Sequence, residues 1–133
     1  MLTPTQVAAG LLDASLPQAE WTHRGHITAA HALTVEHGPD EALRLLRASI
    51  PRLNEAHGVP NTDDDGYHET LTVFFACGVA DAVARGLGVE ATLAELPSAA
   101  PRAYWSERVL MAPAARRTWV EPDRARPAFT LQP

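Results

Sequence analysis

The sequence predicts an all-α protein: a single-domain bundle of four to five main helices, with a buried central helix and an irregular, Pro-rich C-terminal segment. Apolar residues recur at helical spacing in several segments, and no segment alternates as a β-strand does. Glycine closely followed by proline marks two of the expected helix ends. Because 133 residues suit one domain, we expect a single helical domain over residues 1–133.

The first two helices are predicted from their ends. Thr3 is an N-cap residue, Pro4 occupies the first helical position and Gln6 completes a capping box, so a helix is expected from there to about residue 15. A second helix is expected to begin between residues 17 and 22. It should end at Gly38, since Pro39 prevents it from continuing.

The third and fourth helices are predicted from their apolar patterns. After Pro39, apolar side chains recur at helical spacing to residue 53, and Pro51 within this pattern predicts a kink or a break. The fourth helix is expected over about residues 67–85. Between residues 71 and 83 only Thr72 and Asp81 are strongly polar, which is typical of a helix covered on several sides.

The last third of the chain is rich in proline and less regular. Short helices are expected at about residues 90–96, 103–111 and 113–119. Residues 121–133 are expected to form an extended tail on the surface.

The composition excludes several classes of function. The net charge is -5, and all 11 basic residues are arginine. No basic stripe is present, so nucleic acid is not expected as a partner. Without lysine, Schiff-base catalysis is excluded. The expected partner is a small-molecule substrate, and the sequence is compatible with a homodimer.

Cysteine content and hydrophobicity indicate a cytoplasmic location. Cys77 is the only cysteine, so no disulfide can form within the chain. The N-terminus lacks the basic and apolar regions of a signal peptide. The apolar run at residues 71–84 is interrupted by Asp81 and is too short to cross a bilayer, so we expect no membrane association.

Two histidines near the start of the second helix form a candidate metal site. His23 and His26 are three residues apart and would share one helical face, where two imidazoles can bind one metal ion. The alternative is a pair of surface histidines. Trp21 indicates a tightly packed helix start, and Gly25 would allow another backbone, a ligand or the central helix to approach closely.

A second polar cluster lies at the start of the predicted central helix. The positive helix end should keep His68 neutral, as a metal ligand requires. We expect His68 to be the third ligand and Glu69 to be the general base or a fourth ligand. Tyr67 is the other candidate catalytic residue, since its phenol could donate to a substrate. The alternative is an ordinary helix start with a capping histidine.

The loop before this helix also resembles the beginning of an EF-hand, with Asn61 at position 1, Asp63 and Asp65 at positions 3 and 5 and Gly66 at position 6. Position 12 is Thr72 instead of a bidentate glutamate, so calcium is the weaker interpretation. The loop is more typical of a solvated turn, with Asn61 or Thr62 as a cap and Gly66 at positive φ.

Further residues are weaker candidates for contact with a substrate. Their aromatic, amide and guanidinium groups could either bind a ligand or anchor neighbouring segments. They are Trp21, Asn61, Tyr104, Trp105 and Arg108. Asn54 and His57 could reach the rim of the same site.

Three blocks of the chain together resemble a family of small bacterial proteins. The blocks begin at Trp21, Asn61 and Ala115. They follow the patterns W-T-H-x-x-H, N-T-x-x-x-G-Y-H-E-T-x-T and A-R-x-x-W-x-x-P-D. The resemblance implies that the three blocks belong together, and it implies no particular reaction.

These observations lead to a predicted metal-dependent enzyme that acts on a small molecule. The cofactor would be one divalent transition metal held by His23, His26 and His68. Zinc would suit hydrolase or lyase chemistry, whereas iron, manganese or copper would suit an oxidoreductase. One alternative is a non-catalytic helical module that binds a metal or another ligand, and another is a bundle without metal.

Overall fold

The computed structural model describes residues 1–133 and confirms the all-α class, with seven α-helices and no strand. The α-helices are α1 Pro4–Leu12, α2 His23–His37, α3 Pro39–Ala56, α4 Glu69–Ala84, α5 Val89–Glu95, α6 Glu107–Leu110 and α7 Pro113–Arg117. Two 3₁₀ turns, Gln18–Glu20 and Ala100–Ala103, lie between them. No helix is long and apolar enough to cross a membrane.

The predicted residues form the start of α1 and the end of α2. Thr3 and Gln6 form the capping box of α1. Gly38, at φ 84°, closes α2 and is also the residue before α3, so the two helices are joined through a single residue. α1 ends three residues earlier than expected, and the chain then turns through Ala14, at φ 61°.

Two local expectations differ from the structure. Of the kink or break expected at Pro51, the break is absent: α3 is one 18-residue helix, because proline removes only one N–H donor and the rest of the helix remains bonded. α4 begins at Glu69, and neither Asn61 nor Thr62 caps it. The cap is His68, whose ring accepts a hydrogen bond from the Leu71 N–H.

The core brings the four longest helices together. α2 packs against α1, α3 and α4, and α4 also contacts α3 and α7. The side chains of Leu11, Ile27, Leu33, Leu53 and Phe74 are completely or almost completely buried. This packing leaves a space between α2, α3 and α4, near the first turns of α2 and α4.

The C-terminal segment after α7 contains no helix and lies against the helices. Phe129 contacts Phe74 with ring centroids 5.4 Å apart. The Arg124 N–H bonds to the Tyr104 carbonyl, and the Gln132 N–H bonds to the sulfur of Cys77. These contacts fix the segment on the side of α4 that carries Cys77.

Candidate functional site

A cavity of about 460 Å³ lies between α2, α3, α4 and the loop that precedes α4. It is lined by Trp21, His23, His26, Ala30, Leu46, Ile50, Asn54, Val59, Asp65, Gly66, Tyr67, His68, Leu71, Thr72, Phe75, Ala76 and Ser98. The histidines expected from the sequence to act together, His23, His26 and His68, therefore reach one space.

Each helix contributes a single stripe to this cavity. His23, His26 and Ala30 come from α2, and Leu46, Ile50 and Asn54 come from α3. α4 and its cap contribute the stripe His68, Leu71, Thr72 and Phe75. Side chains three or four residues apart share a helix face, so the cavity is the space between three facing stripes.

Among the three histidines that line the cavity, His26 is the one with no hydrogen bond to its ring. Neither of its ring nitrogens has a hydrogen-bond partner in the protein, and the indole of Trp21 packs against its ring at a centroid distance of 3.7 Å. The side chain keeps accessible surface although protein surrounds it, because it faces the cavity. Desolvation, together with the nearby His23, lowers the pKa of His26 to about 4, so its imidazole is neutral at pH 7.

His68 is held at both ring nitrogens. Nδ1 accepts the Leu71 N–H at 3.2 Å, and Nε2 donates to the Leu110 carbonyl at 2.8 Å. Because Nδ1 accepts, the ring is neutral. Burial, followed by the charge of Arg116, lowers the pKa of His68. The expected neutral state therefore arises mainly from burial.

His23 is hydrogen-bonded through one ring nitrogen. Its Nε2 donates to the Leu96 carbonyl at 2.7 Å. The rings of His23 and Phe75 pack edge to face, with their centroids 5.1 Å apart. No three histidine, cysteine, aspartate or glutamate side chains are placed so that they could hold one metal ion. In this arrangement a metal could use either ring nitrogen of His26 but only Nδ1 of His23.

Glu69 and Tyr67 are bonded to each other. The Tyr67 hydroxyl donates to Glu69 Oε1 at 2.6 Å, and Arg47 forms an ion pair with the same carboxylate at 2.8 Å. Burial and the adjacent carboxylate raise the pKa of Tyr67. Tyr67 lines the cavity, whereas Glu69 lies outside the lining. The sequence contained no signal for Arg47, since its pairing depends on how α3 faces α4.

A hydrogen-bond relay connects the wall of the cavity to the preceding loop. Trp21 Nε1 donates to Asn54, and Asn54 Nδ2 donates to Asn61 Oδ1, both at 3.1 Å. Asn61 Oδ1 also accepts the Tyr67 N–H at 2.9 Å. Asn61 thus holds the loop without lining the cavity, and it directs its amide toward the Pro51 carbonyl at 3.0 Å.

Several side-chain oxygens of the EF-hand-like loop are bonded within the protein. Asp63 forms an ion pair with Arg117, and the Thr62 hydroxyl accepts two backbone N–H groups. Gly66 has φ 81°, as predicted, and a Cβ there would lie 2.5 Å from the Pro60 carbonyl oxygen. The loop is therefore a closed turn that carries Tyr67 and His68 to the cavity.

Three of the weaker substrate candidates lie away from the cavity. Trp105 is fully buried, and its indole donates to the Val120 carbonyl at 2.9 Å. Tyr104 packs against Phe74 on another side of α4, and Arg108 is exposed. Of this group, only Trp21 lines the cavity.

The second and third sequence blocks are in direct contact. Arg116 donates to the Gly66 carbonyl at 3.0 Å, and Thr70 donates to the Thr118 carbonyl at 3.0 Å. The first block reaches the second through the Trp21–Asn54–Asn61 relay.

No protein-family model, curated protein or solved structure matches the chain.

Proposed function

We propose that this protein binds a small organic molecule in the cavity beside His26, as a non-catalytic ligand-binding helical module. The observation that carries the proposal is His26, whose two ring nitrogens are unbonded in a cavity of about 460 Å³. This volume falls within the roughly 300–1,000 Å³ of typical ligand pockets. In the proposed arrangement α4 is the central helix of the bundle and supplies one wall of the site.

The lining has the composition that binding of an organic ligand requires. Nine of the 17 lining residues are hydrophobic, and a few polar groups lie among them. Apolar walls supply most of the binding free energy, and the polar groups orient the ligand. A neutral imidazole provides one donor and one acceptor for that purpose.

The low pKa of His26 favours binding over proton transfer. A general base works best when its pKa lies near the working pH. With a pKa of about 4, His26 is a weak base at pH 7 but remains a good hydrogen-bond acceptor. The Glu69 carboxylate, the other expected base, is ion-paired with Arg47 and lies outside the lining.

Fragment screening by NMR tests this proposal. Bound fragments should shift the Trp21 indole N–H resonance, since Trp21 lines the cavity. Ser98 is an exposed lining residue, so Ser98→Trp should obstruct the cavity with little effect on folding, and Ser98→Ala is the matched control. Fragments that bind equally well to Ser98→Trp, or no fragment that shifts Trp21, would refute the proposal.

A metal-dependent enzyme remains a second proposal, because His23, His26 and His68 line one cavity. A bound divalent metal would supply Lewis-acid or redox chemistry. His26 would be the natural first ligand, since its nitrogens are free. His68 would have to give up either its bond to Leu71 or its bond to Leu110.

Metal content measured on untagged protein distinguishes the two proposals. A three-histidine site predicts about one bound zinc, iron, manganese or copper ion per chain, with loss of the ion in His26→Ala and in His68→Ala. His37→Ala, at the last residue of α2, is the control. Unchanged metal content in His68→Ala would exclude the three-histidine site.

A further inference from the structure

The charges around the cavity restrict the chemistry of its ligand; the inference rests on the binding function proposed above. No arginine lines the cavity, and the chain has no lysine. Asp65 places a carboxylate in the lining. An anionic ligand would therefore lose hydration without gaining a cationic partner.

The nearest guanidinium groups are already engaged. Arg47 forms its ion pair with Glu69, and Arg116 donates to the carbonyls of Gly66 and Tyr67. Neither group lines the cavity, so neither is available to an anion without breaking these contacts. A cationic side chain that could recognise an anion is thus absent from the lining.

The N-terminal ends of α2 and α4 give the cavity only a weak positive potential. Helix N-termini attract negative groups through unbonded N–H donors. At α2 the Thr22 hydroxyl accepts the Gly25 N–H at 3.3 Å, and at α4 the His68 ring accepts the Leu71 N–H at 3.2 Å. Glu69 also places a carboxylate in the first turn of α4. These partners reduce the attraction that either helix end has for an anion.

The remaining lining residues favour a ligand that contains a ring. Trp21, Tyr67 and Phe75 are aromatic, and Leu46, Ile50 and Leu71 add aliphatic surface. Aromatic and apolar walls stabilise a flat apolar body through dispersion and exclusion of water. His26 then provides a neutral imidazole with both ring nitrogens unpaired, whereas His23 offers only Nδ1.

From these features we infer that the ligand is a ring compound without negative charge whose O–H or N–H group donates a hydrogen bond to His26. The ring contacts the aromatic and aliphatic wall, while the donor group reaches the free imidazole nitrogen. Asp65 and the absence of a cationic side chain select against carboxylates and phosphates.

A matched series of one-ring compounds tests the inference by ligand-observed NMR titration. Phenol is uncharged with a donor, anisole is uncharged without one, and benzoate is an anion at pH 7. Phenol should bind most tightly, with anisole about three- to tenfold weaker, since one neutral hydrogen bond contributes that factor. His26→Leu should remove the advantage of phenol over anisole, and His37→Ala should preserve it.

The outcomes separate this inference from the proposed function. If benzoate binds as tightly as phenol, or anisole equals phenol in the wild type, the inference fails while binding in the cavity stands. If none of the three compounds binds, cavity binding itself fails and the inference fails with it. The comparison of phenol with anisole uses only wild-type protein, so it is decisive even if His26→Leu does not fold.

Discussion

At the scale of single residues, four of the six histidines donate Nε2–H to a distant backbone carbonyl. The pairs are His23 with Leu96, His31 with Leu87, His57 with Leu16 and His68 with Leu110. Two of these carbonyls, those of Leu96 and Leu110, lie at or directly after the end of a helix, where carbonyl groups lack partners within the helix. Imidazole thus joins segments that are far apart in the chain, and of the two histidines without such a bond, His26 is the one that lines the cavity.

His68 should make the folded state sensitive to mild acid. Burial lowers its pKa below 6.5 in the folded protein, whereas in the unfolded chain it titrates near 6.5. Below pH 6.5 the unfolded state therefore binds more protons, and the free energy of unfolding should fall as the pH falls. Protonation would also turn Nδ1 into a donor and remove the cap on the Leu71 N–H.

Urea denaturation at several pH values between about 6.5 and 5, above the range where most carboxyl groups titrate, measures this effect. His68→Asn keeps a capping side chain but does not titrate, so it should lose stability less steeply with acid than the wild type. The other histidines are present in both proteins, so the difference isolates His68. Equal slopes for the two proteins would contradict the prediction.

At the scale of elements, the cavity exists because three helices each present a stripe of lining residues. The spacings 23, 26, 30 on α2 and 46, 50, 54 on α3 are visible in the sequence. That these stripes face one another is not visible there, because the spacing fixes a helix face but not its neighbour. The same limit applies to Arg47, whose ion pair with Glu69 joins α3 to α4.

Gly25 permits the close approach of the 3₁₀ turn to α2. A Cβ at this position would collide with the Glu20 carbonyl oxygen. The sequence allowed a backbone, a ligand or the central helix at this position, and the structure places a backbone there. Gly25→Ala should therefore destabilise the protein by about 1–3 kcal/mol, although alanine favours a helix more than glycine does.

Gly78→Ala is the matched comparison within α4. A Cβ there would lie 2.9 Å from a terminal methyl group of Leu96, which can move aside more easily than a backbone carbonyl. Thermal or urea denaturation should show a larger loss of stability for Gly25→Ala than for Gly78→Ala. If Gly25→Ala were as stable as the wild type, α2 and the turn could not be packed as described.

At the scale of the whole molecule, the C-terminal segment closes one side of α4. Phe129 packs on Phe74, and a Cβ at Gly78 would lie 3.2 Å from the end of the Phe129 ring. The sequence predicted an extended surface tail over residues 121–133, and nothing in its composition indicates where Phe129 packs. The segment is free of helix yet joined to the core by this aromatic contact.

Phe129→Ala should lower the free energy of unfolding by about 2 kcal/mol, less than for a fully buried phenylalanine because Phe129 is only half-buried. Urea denaturation measures the change. Arg126→Ala is the control, since this exposed side chain forms only a surface ion pair with Glu121 and its loss should change stability by less than about 1 kcal/mol. A similar effect from both substitutions would show that the Phe129 contact contributes little.

The sequence by itself determined the all-α class, the capping box of α1, the Gly38–Pro39 junction and the positive φ of Gly66. These features depend on interactions within a few residues, such as a hydroxyl that accepts a nearby N–H or a glycine that tolerates a turn. The grouping of Tyr67, His68 and Glu69 was also visible, because they are adjacent in the chain.

Only the tertiary structure decided what those polar groups can do. It bonded Glu69 to Arg47 and Tyr67, used both nitrogens of His68 and left the ring of His26 open to a cavity. The contacts with Tyr67 and Leu71 are local, but Arg47 lies 22 residues from Glu69 and Leu110 lies 42 residues from His68. Local patterns fix which residues share a helix face, and the packing of those faces fixes which side chains remain free for a ligand.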